Sequence, residues 1–191
     1  MITLLLAAAV ALDPGAAVWK SAPVRQVALY RTPPLYATDA PAALEIPTAQ
    51  AQVVREQGKV VLRLEWRDPT EEKTAAAPDG FADGCAVMVP AKPVQGDLNP
   101  SLQMGDAQNP VVLYYFDAAR GPAVMEASGR GTTRRTGKAF PARAARSGPN
   151  WQVTLELPEL PAGTPFSIAI WNGKQQDRDG RKYFSIWYPL P

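Results

Sequence analysis

No histidine occurs among the 191 residues of this chain. That absence excludes a Ser-His-Asp triad, the common zinc sites and histidine-ligated haem. One cysteine, Cys85, excludes an internal disulfide, a four-thiolate iron–sulfur cluster and haem attached through a C-x-x-C-H motif. A lone thiol suits burial better than exposure, and Cys85 is expected in the core. Charge is nearly balanced: 20 Lys and Arg against 18 Asp and Glu leave +2, too slight to suggest nucleic acid, which needs a concentrated basic face. The apolar run that opens the chain, Met1 to Leu12, falls short of the roughly 20 residues that span a bilayer. It has the length of a signal-peptide h-region and is followed by small residues around Gly15-Ala16-Ala17, although no basic residue precedes Lys20. The expected organisation is a signal peptide over residues 1–17 and one domain over residues 18–191, with a buried first strand as the other reading of the opening run.

What is present is a series of short apolar runs with period two, punctuated by 20 Pro and 14 Gly. Val60, Leu62, Leu64 and Trp66 alternate with Val61, Arg63, Glu65 and Arg67, as a strand with one buried face requires. Trp151, Val153, Leu155 and Leu157 repeat the pattern, and so do Phe166, Ile168 and Ile170. Further strands are expected at Arg25 to Tyr30, Gln50 to Glu56, Cys85 to Val89, Val111 to Phe116, Ala123 to Ala127 and Tyr183 to Tyr188. These are too many for one open sheet of this size, so the expected fold is all-β, a two-sheet antiparallel β-sandwich with long loops and little helix.

Three stretches read as irregular: Asp68 to Asp83, Ala91 to Asn109 and Gly129 to Asn150. Loops this long inside a compact domain are usually functional or disordered. The second holds Met104. The third holds Arg130, Arg134, Arg135, Lys138, Arg143 and Arg146, a set suited to neutralising cofactor carboxylates or docking an acidic partner, or to simple solvation. Taken alone, Met104 is a gap-filler, Lys182 a solvated strand residue, and Trp66, Trp151, Trp171 and Trp187 sandwich core. The acidic pairs Glu71-Glu72 and Asp177/Asp179 read as exposed turn residues rather than acid–base machinery.

Order and spacing of several blocks change this picture. Leu64-Glu65-Trp66-Arg67-Asp68-Pro69-Thr70 is followed by Phe81-Ala82-Asp83-Gly84-Cys85-Ala86-Val87-Met88-Val89-Pro90. Met104-Gly105 then precedes Pro110-Val111-Val112-Leu113-Tyr114-Tyr115. Gly131-Thr132-Thr133, Trp151-Gln152-Val153, Ile170-Trp171-Asn172-Gly173 and Ser185-Ile186-Trp187 complete the series. The chain thereby resembles, over nearly its whole length, the haem b (gamma) subunits of type II dimethyl sulfoxide reductase family molybdoenzymes, such as that of ethylbenzene dehydrogenase.

The resemblance implies a sandwich like that of some carbohydrate-binding modules, holding one non-covalent haem b between axial Met and Lys. By motif position the ligands are Met104 and Lys182. Lys174 lies in the same C-terminal block, and strand parity favours Lys182, which would share a face with Phe184 and Ile186 and point into an apolar interior. It further implies a non-catalytic electron-transfer subunit, located in the periplasm. Its partners would be a molybdenum-containing catalytic subunit, an iron–sulfur subunit and a soluble carrier such as a cytochrome c. A neutral amine at pH 7 costs roughly 4–5 kcal/mol from a reference pKa near 10.4, which desolvation and the iron–nitrogen bond must offset. A binding module without haem, using exposed aromatics on the same sandwich to recognise a saccharide, is the alternative that residue types alone leave open.

Overall fold

Period-two alternation dictates strands, and the computed structural model, which describes residues 11–33, 45–56, 58–74, 80–94 and 98–191, is built from them almost throughout. In chain order they are β1 (Arg25–Ala28), β2 (Tyr30–Arg31), β3 (Thr48–Glu56), β4 (Lys59–Arg67), β5 (Gly84–Pro90), β6 (Val111–Asp117), β7 (Gly121–Ala127), β8 (Arg134–Arg135), β9 (Ala142–Ser147), β10 (Asn150–Pro158), β11 (Pro165–Trp171), β12 (Tyr183–Phe184) and β13 (Tyr188–Pro189). Two 3₁₀ turns, Ala17–Lys20 and Gly173–Gln175, accompany them. All pairings are antiparallel. One sheet has the order β1-β3-β4-β10-β9; the other runs β2-β12-β11-β5-β6-β7-β8, with β13 also paired to β11.

The two sheets form a sandwich. From the five-stranded sheet Val60, Leu62, Leu64, Trp66, Trp151, Val153, Leu155 and Leu157 meet Cys85, Val87, Val89, Tyr114, Phe166, Ile168 and Ile170 of the other, all of them buried. Register explains the choice of residues, because Trp66 pairs with Trp151 and Leu62 with Leu155 across β4 and β10. The two indoles stack at 6.2 Å between centroids. Each fully buried aliphatic or aromatic side chain contributes about 1.5–3 kcal/mol, so this layer is the main source of stability.

Part of the outward face of the five-stranded sheet is covered. Val61 and Arg63, the expected outer residues of β4, are 1% and 8% exposed, because residues 11–22 lie over them, with Ala11 and Trp19 packed on Val61. Arg63 donates to the Pro14 carbonyl, Gln52 and Glu65. Gln52 in turn donates to the carbonyls of Trp19 and Ala22, and Thr154 to that of Leu12. Residues 1–10 of the expected signal segment lie outside the described residues.

Two expectations change. The stretch from Gly129 to Asn150 contains β8 and β9, which period-two reading missed because Arg134-Arg135 is too short to alternate and β9, Ala142-Arg143-Ala144-Ala145-Arg146-Ser147, is an edge strand of weak strand formers. The final strand is also broken. Between β12 and β13, Ser185 uses its hydroxyl to accept from the Ile168 amide, interrupting what reads as one run from Tyr183 to Tyr188.

Candidate cofactor site

Alternation along β5, β6, β7 and β11 gives the eight-stranded sheet a second face, directed away from the sandwich core. Register lays out its rows. Ser167, Met88, Leu113 and Met125 form one row. Two residues along lie Ala169, Ala86, Tyr115 and Ala123, and two further along Trp171, Gly84, Asp117 and Gly121. The outer two rows are four residues apart, about 13 Å at roughly 3.3 Å per residue. Small alanines dominate the row between them.

Met104 sits at the first end. It packs against Met88, Val111, Leu113 and Ala127, together with Leu102, Met125 and Trp187. Its φ is 76°, a left-handed conformation rare for a bulky side chain and costing on the order of 1–3 kcal/mol. The surrounding backbone enforces it: the Met104 carbonyl accepts from the Gly129 amide at 2.9 Å, and the Gly105 amide donates to Ser101 at 2.8 Å. Gly105, at φ 72°, is required where it stands, since a Cβ there would lie 2.5 Å from the Asn109 carbonyl oxygen. Trp187 Nε1 donates to Pro100 and so ties the C-terminal segment to the Met104 loop.

Lys182 sits at the other end. Its Nζ lies 5.4 Å from the Trp171 ring centroid. Trp171 is held edge-on to Tyr115 and donates to the Asp179 carbonyl. Burial pushes the Lys182 amine below the usual lysine range, against the opposing charge of Asp179. Lys174, by contrast, is exposed. The backbone of Lys182 is clamped on both sides by Thr32, whose amide and hydroxyl donate to the Lys182 carbonyl and whose hydroxyl oxygen accepts from the Lys182 amide.

Two motif blocks hold this end in place. The Gly173 amide donates to Asp83 Oδ1, while Trp151 Nε1 and the Glu72 amide donate to Asp83 Oδ2. At Gly173 a Cβ would fall 2.2 Å from the Phe81 carbonyl oxygen, which accounts for Phe81-Ala82-Asp83 and Trp171-Asn172-Gly173 as one packed unit. Burial raises the Asp83 carboxyl to about 6, the three N–H donors opposing the shift and the Asp68 charge adding to it. A folded-state value above the ordinary 3.8 means that the stability from this proton is complete below about pH 4 and is lost as pH rises through 6, roughly 3 kcal/mol in all. Urea midpoints measured between pH 4.5 and 7 should therefore fall more steeply in wild type than in Asp83→Asn; equal slopes would refute this role.

Several sequence expectations need correction here. Lys182 does not point between the sheets; it and Trp171 belong to the outward face, and Ile186 is 46% exposed. Trp66 and Trp151 are sandwich core, whereas Trp171 and Trp187 are not. Asp177 is no exposed turn acid. Its carboxylate is buried in a two-point ion pair with Arg31, both contacts 2.5 Å, and also accepts from the Asn172 amide. Sequence reasoning missed Arg31, Thr32 and Asp177 as supports of the Lys182 segment. It also missed Met88 and Met125, whose common row follows from strand parity once the register is known.

The donor set fits a haem. The face offers neutral thioethers and one desolvated amine on either side of a floor of small side chains, and among the described residues no three His, Cys, Asp or Glu come together to hold a metal ion. No protein-family model matches the chain. It is 33% identical over 193 residues to the chlorate reductase subunit gamma of Ideonella dechloratans, covering 94% of this chain and 79% of that one. It is 29% identical to a respiratory nitrate reductase heme subunit of Haloferax mediterranei, covering 94% and 67%. Identity to the dimethylsulfide dehydrogenase subunit gamma of Rhodovulum sulfidophilum is 27%, covering 91% and 72%. Among solved structures, a family 9 carbohydrate-binding module from Caldicellulosiruptor kristjanssonii superposes with a TM-score of 0.51 at 11% identity, over 91% of this chain and 78% of that one. That likeness concerns the fold alone.

Proposed function

This chain belongs to the family of gamma subunits of type II dimethyl sulfoxide reductase family enzymes, and from that premise we propose that it carries one non-covalent haem b and transfers electrons without catalysing a reaction itself. In this reading Met104 and Lys182 would hold the haem iron. The observation that carries it is their placement: a thioether on a strained, over-determined loop and a desolvated amine, at opposite ends of one small-residue floor. Haem, when bound, supplies a one-electron couple between ferrous and ferric iron.

The rest is the work of the chain's own groups. Met104 offers a neutral sulfur, which favours the ferrous state. Burial of Lys182 keeps its amine closer to the neutral form that can ligate, and Thr32 fixes the backbone from which it projects. Were both Met104 and Lys182 to ligate the iron, no site would be left on it for a substrate, and electron transfer would be outer-sphere. The partners in this reading are a molybdenum-containing catalytic subunit and an iron–sulfur subunit on one side and a soluble carrier, a cytochrome c or similar, on the other, in the periplasm. Among the described residues no helix is long and apolar enough to cross a membrane. Titrating the full chain with haem should give one equivalent bound, with Soret and α bands on dithionite reduction. An absorption spectrum no different from free haem would reject the proposal.

A further inference from the structure

From Ala127 to Leu155 the chain contains no carboxylate, yet Arg130, Arg134, Arg135, Lys138, Arg143 and Arg146 all fall within that stretch. The structure divides them. Arg134 pairs with Glu126, and Arg146 donates to the Asp68 carbonyl while lying over the Trp151 ring. Arg130, Arg135, Lys138 and Arg143 are exposed, and among the described residues nothing accepts from their side chains.

Two of these four, Arg130 and Arg135, stand at one end of the cofactor face. Gly129, next to Arg130, is the residue whose amide binds the Met104 carbonyl. Arg135 pairs with Met125 across β7 and β8, and so extends the row Ser167, Met88, Leu113, Met125 to the sheet edge. Lys138 follows on the same connection but lines a separate cavity with Lys59, Glu126 and Glu156. In the Met104 loop, the Asp106 carboxylate is already occupied by the amides of Gln108 and Asn109. Two bare apolar side chains, Leu98 at 82% and Ile186 at 46% exposure, flank in sequence the two residues of the Trp187 to Pro100 hydrogen bond, and Trp187 packs on the same cluster as Met104 and Met125.

We propose that this basic edge, beside the Met104 end of the site, is the docking surface for a soluble electron carrier with an acidic face. The inference rests on the haem-binding reading above. A few exposed cations suit a brief, electrostatically steered encounter, where charge sets the rate of association more than its strength. A permanent subunit contact is larger and more apolar. In each encounter one electron leaves the cofactor of one protein and reduces that of the other.

The test compares wild type with Arg130→Glu/Arg135→Glu, both as full-length chains loaded with haem. Flavodoxin is the acidic probe, reducing the ferric protein; horse cytochrome c is the basic one, oxidising the ferrous protein. Wild type should react fast with flavodoxin at low ionic strength and more slowly as salt is added. Charge reversal should lower that rate at least about tenfold and raise the cytochrome c rate. An unchanged ratio of the two rates in a variant with an unchanged spectrum would overturn the docking surface alone, whereas absence of a haem spectrum in wild type would overturn the reading beneath it. Loss of the variant from the assembled molybdoenzyme complex would assign the edge to the iron–sulfur subunit and equally overturn the proposal.

Discussion

Lys182→Ala is expected to abolish the six-coordinate low-spin spectrum of the haem-loaded protein and to shift its reduction potential by on the order of 100 mV, since axial ligands move haem potentials over about 0.8 V. Met104→Ala should do likewise, with the potential falling as the ferrous-favouring thioether is lost. Met88→Ala and Met125→Ala are the controls, because both sulfurs share the Met104 cluster and only the ligand should change the spectrum. Protonation competes with coordination, so the wild-type spectrum should also be lost as pH falls. Burial lowers the Lys182 amine and extends the ligating range to lower pH than an exposed lysine would allow. A spectrum unchanged in either ligand variant would remove that residue from the axial pair.

Asp177→Ala should be the most damaging single change away from the ligands. Its carboxylate has no exposed surface and Arg31 has little, so the substitution strands a guanidinium stacked 4.4 Å over the Tyr183 ring. Breaking a buried pair from one side costs about 3–5 kcal/mol. At roughly 2–4 °C per kcal/mol for a chain of this size, Tm should drop by on the order of 10 °C. Replacing both partners, Asp177→Leu with Arg31→Met, should cost less than the single change, because no charge is then left alone. Haem retention should follow stability, since the pair holds the segment from Asn172 to Tyr183 that carries Lys182. A single variant as stable as wild type would show that Thr32 alone suffices.

The long strands were legible because their alternation is carried by large apolar residues. Leu62, Leu64 and Trp66 against Arg63 and Glu65 leave one register that buries the right face. Cys85 is buried as its lone thiol suggested. The outer face of the eight-stranded sheet was not legible. Ala86, Ala123 and Ala169 look like ordinary strand residues, and nothing in the sequence distinguishes the side of a strand that faces the other sheet from the side that faces a ligand. For the same reason Trp171 and Trp187 were assigned to the wrong layer. Asp177 was misread because a local pattern of charged residues and glycine signals a turn, while the Arg31 that neutralises it lies 146 residues away. Motif order located Met104, yet only the folded backbone reveals its left-handed conformation.

The most direct measurement is near-infrared magnetic circular dichroism of the ferric, haem-loaded wild-type protein, with electron paramagnetic resonance of the same sample. The structure predicts one low-spin species with thioether and amine ligation, lost in Met104→Ala and in Lys182→Ala. A high-spin or five-coordinate iron in wild type, or a low-spin signal that survives both substitutions, would contradict the account.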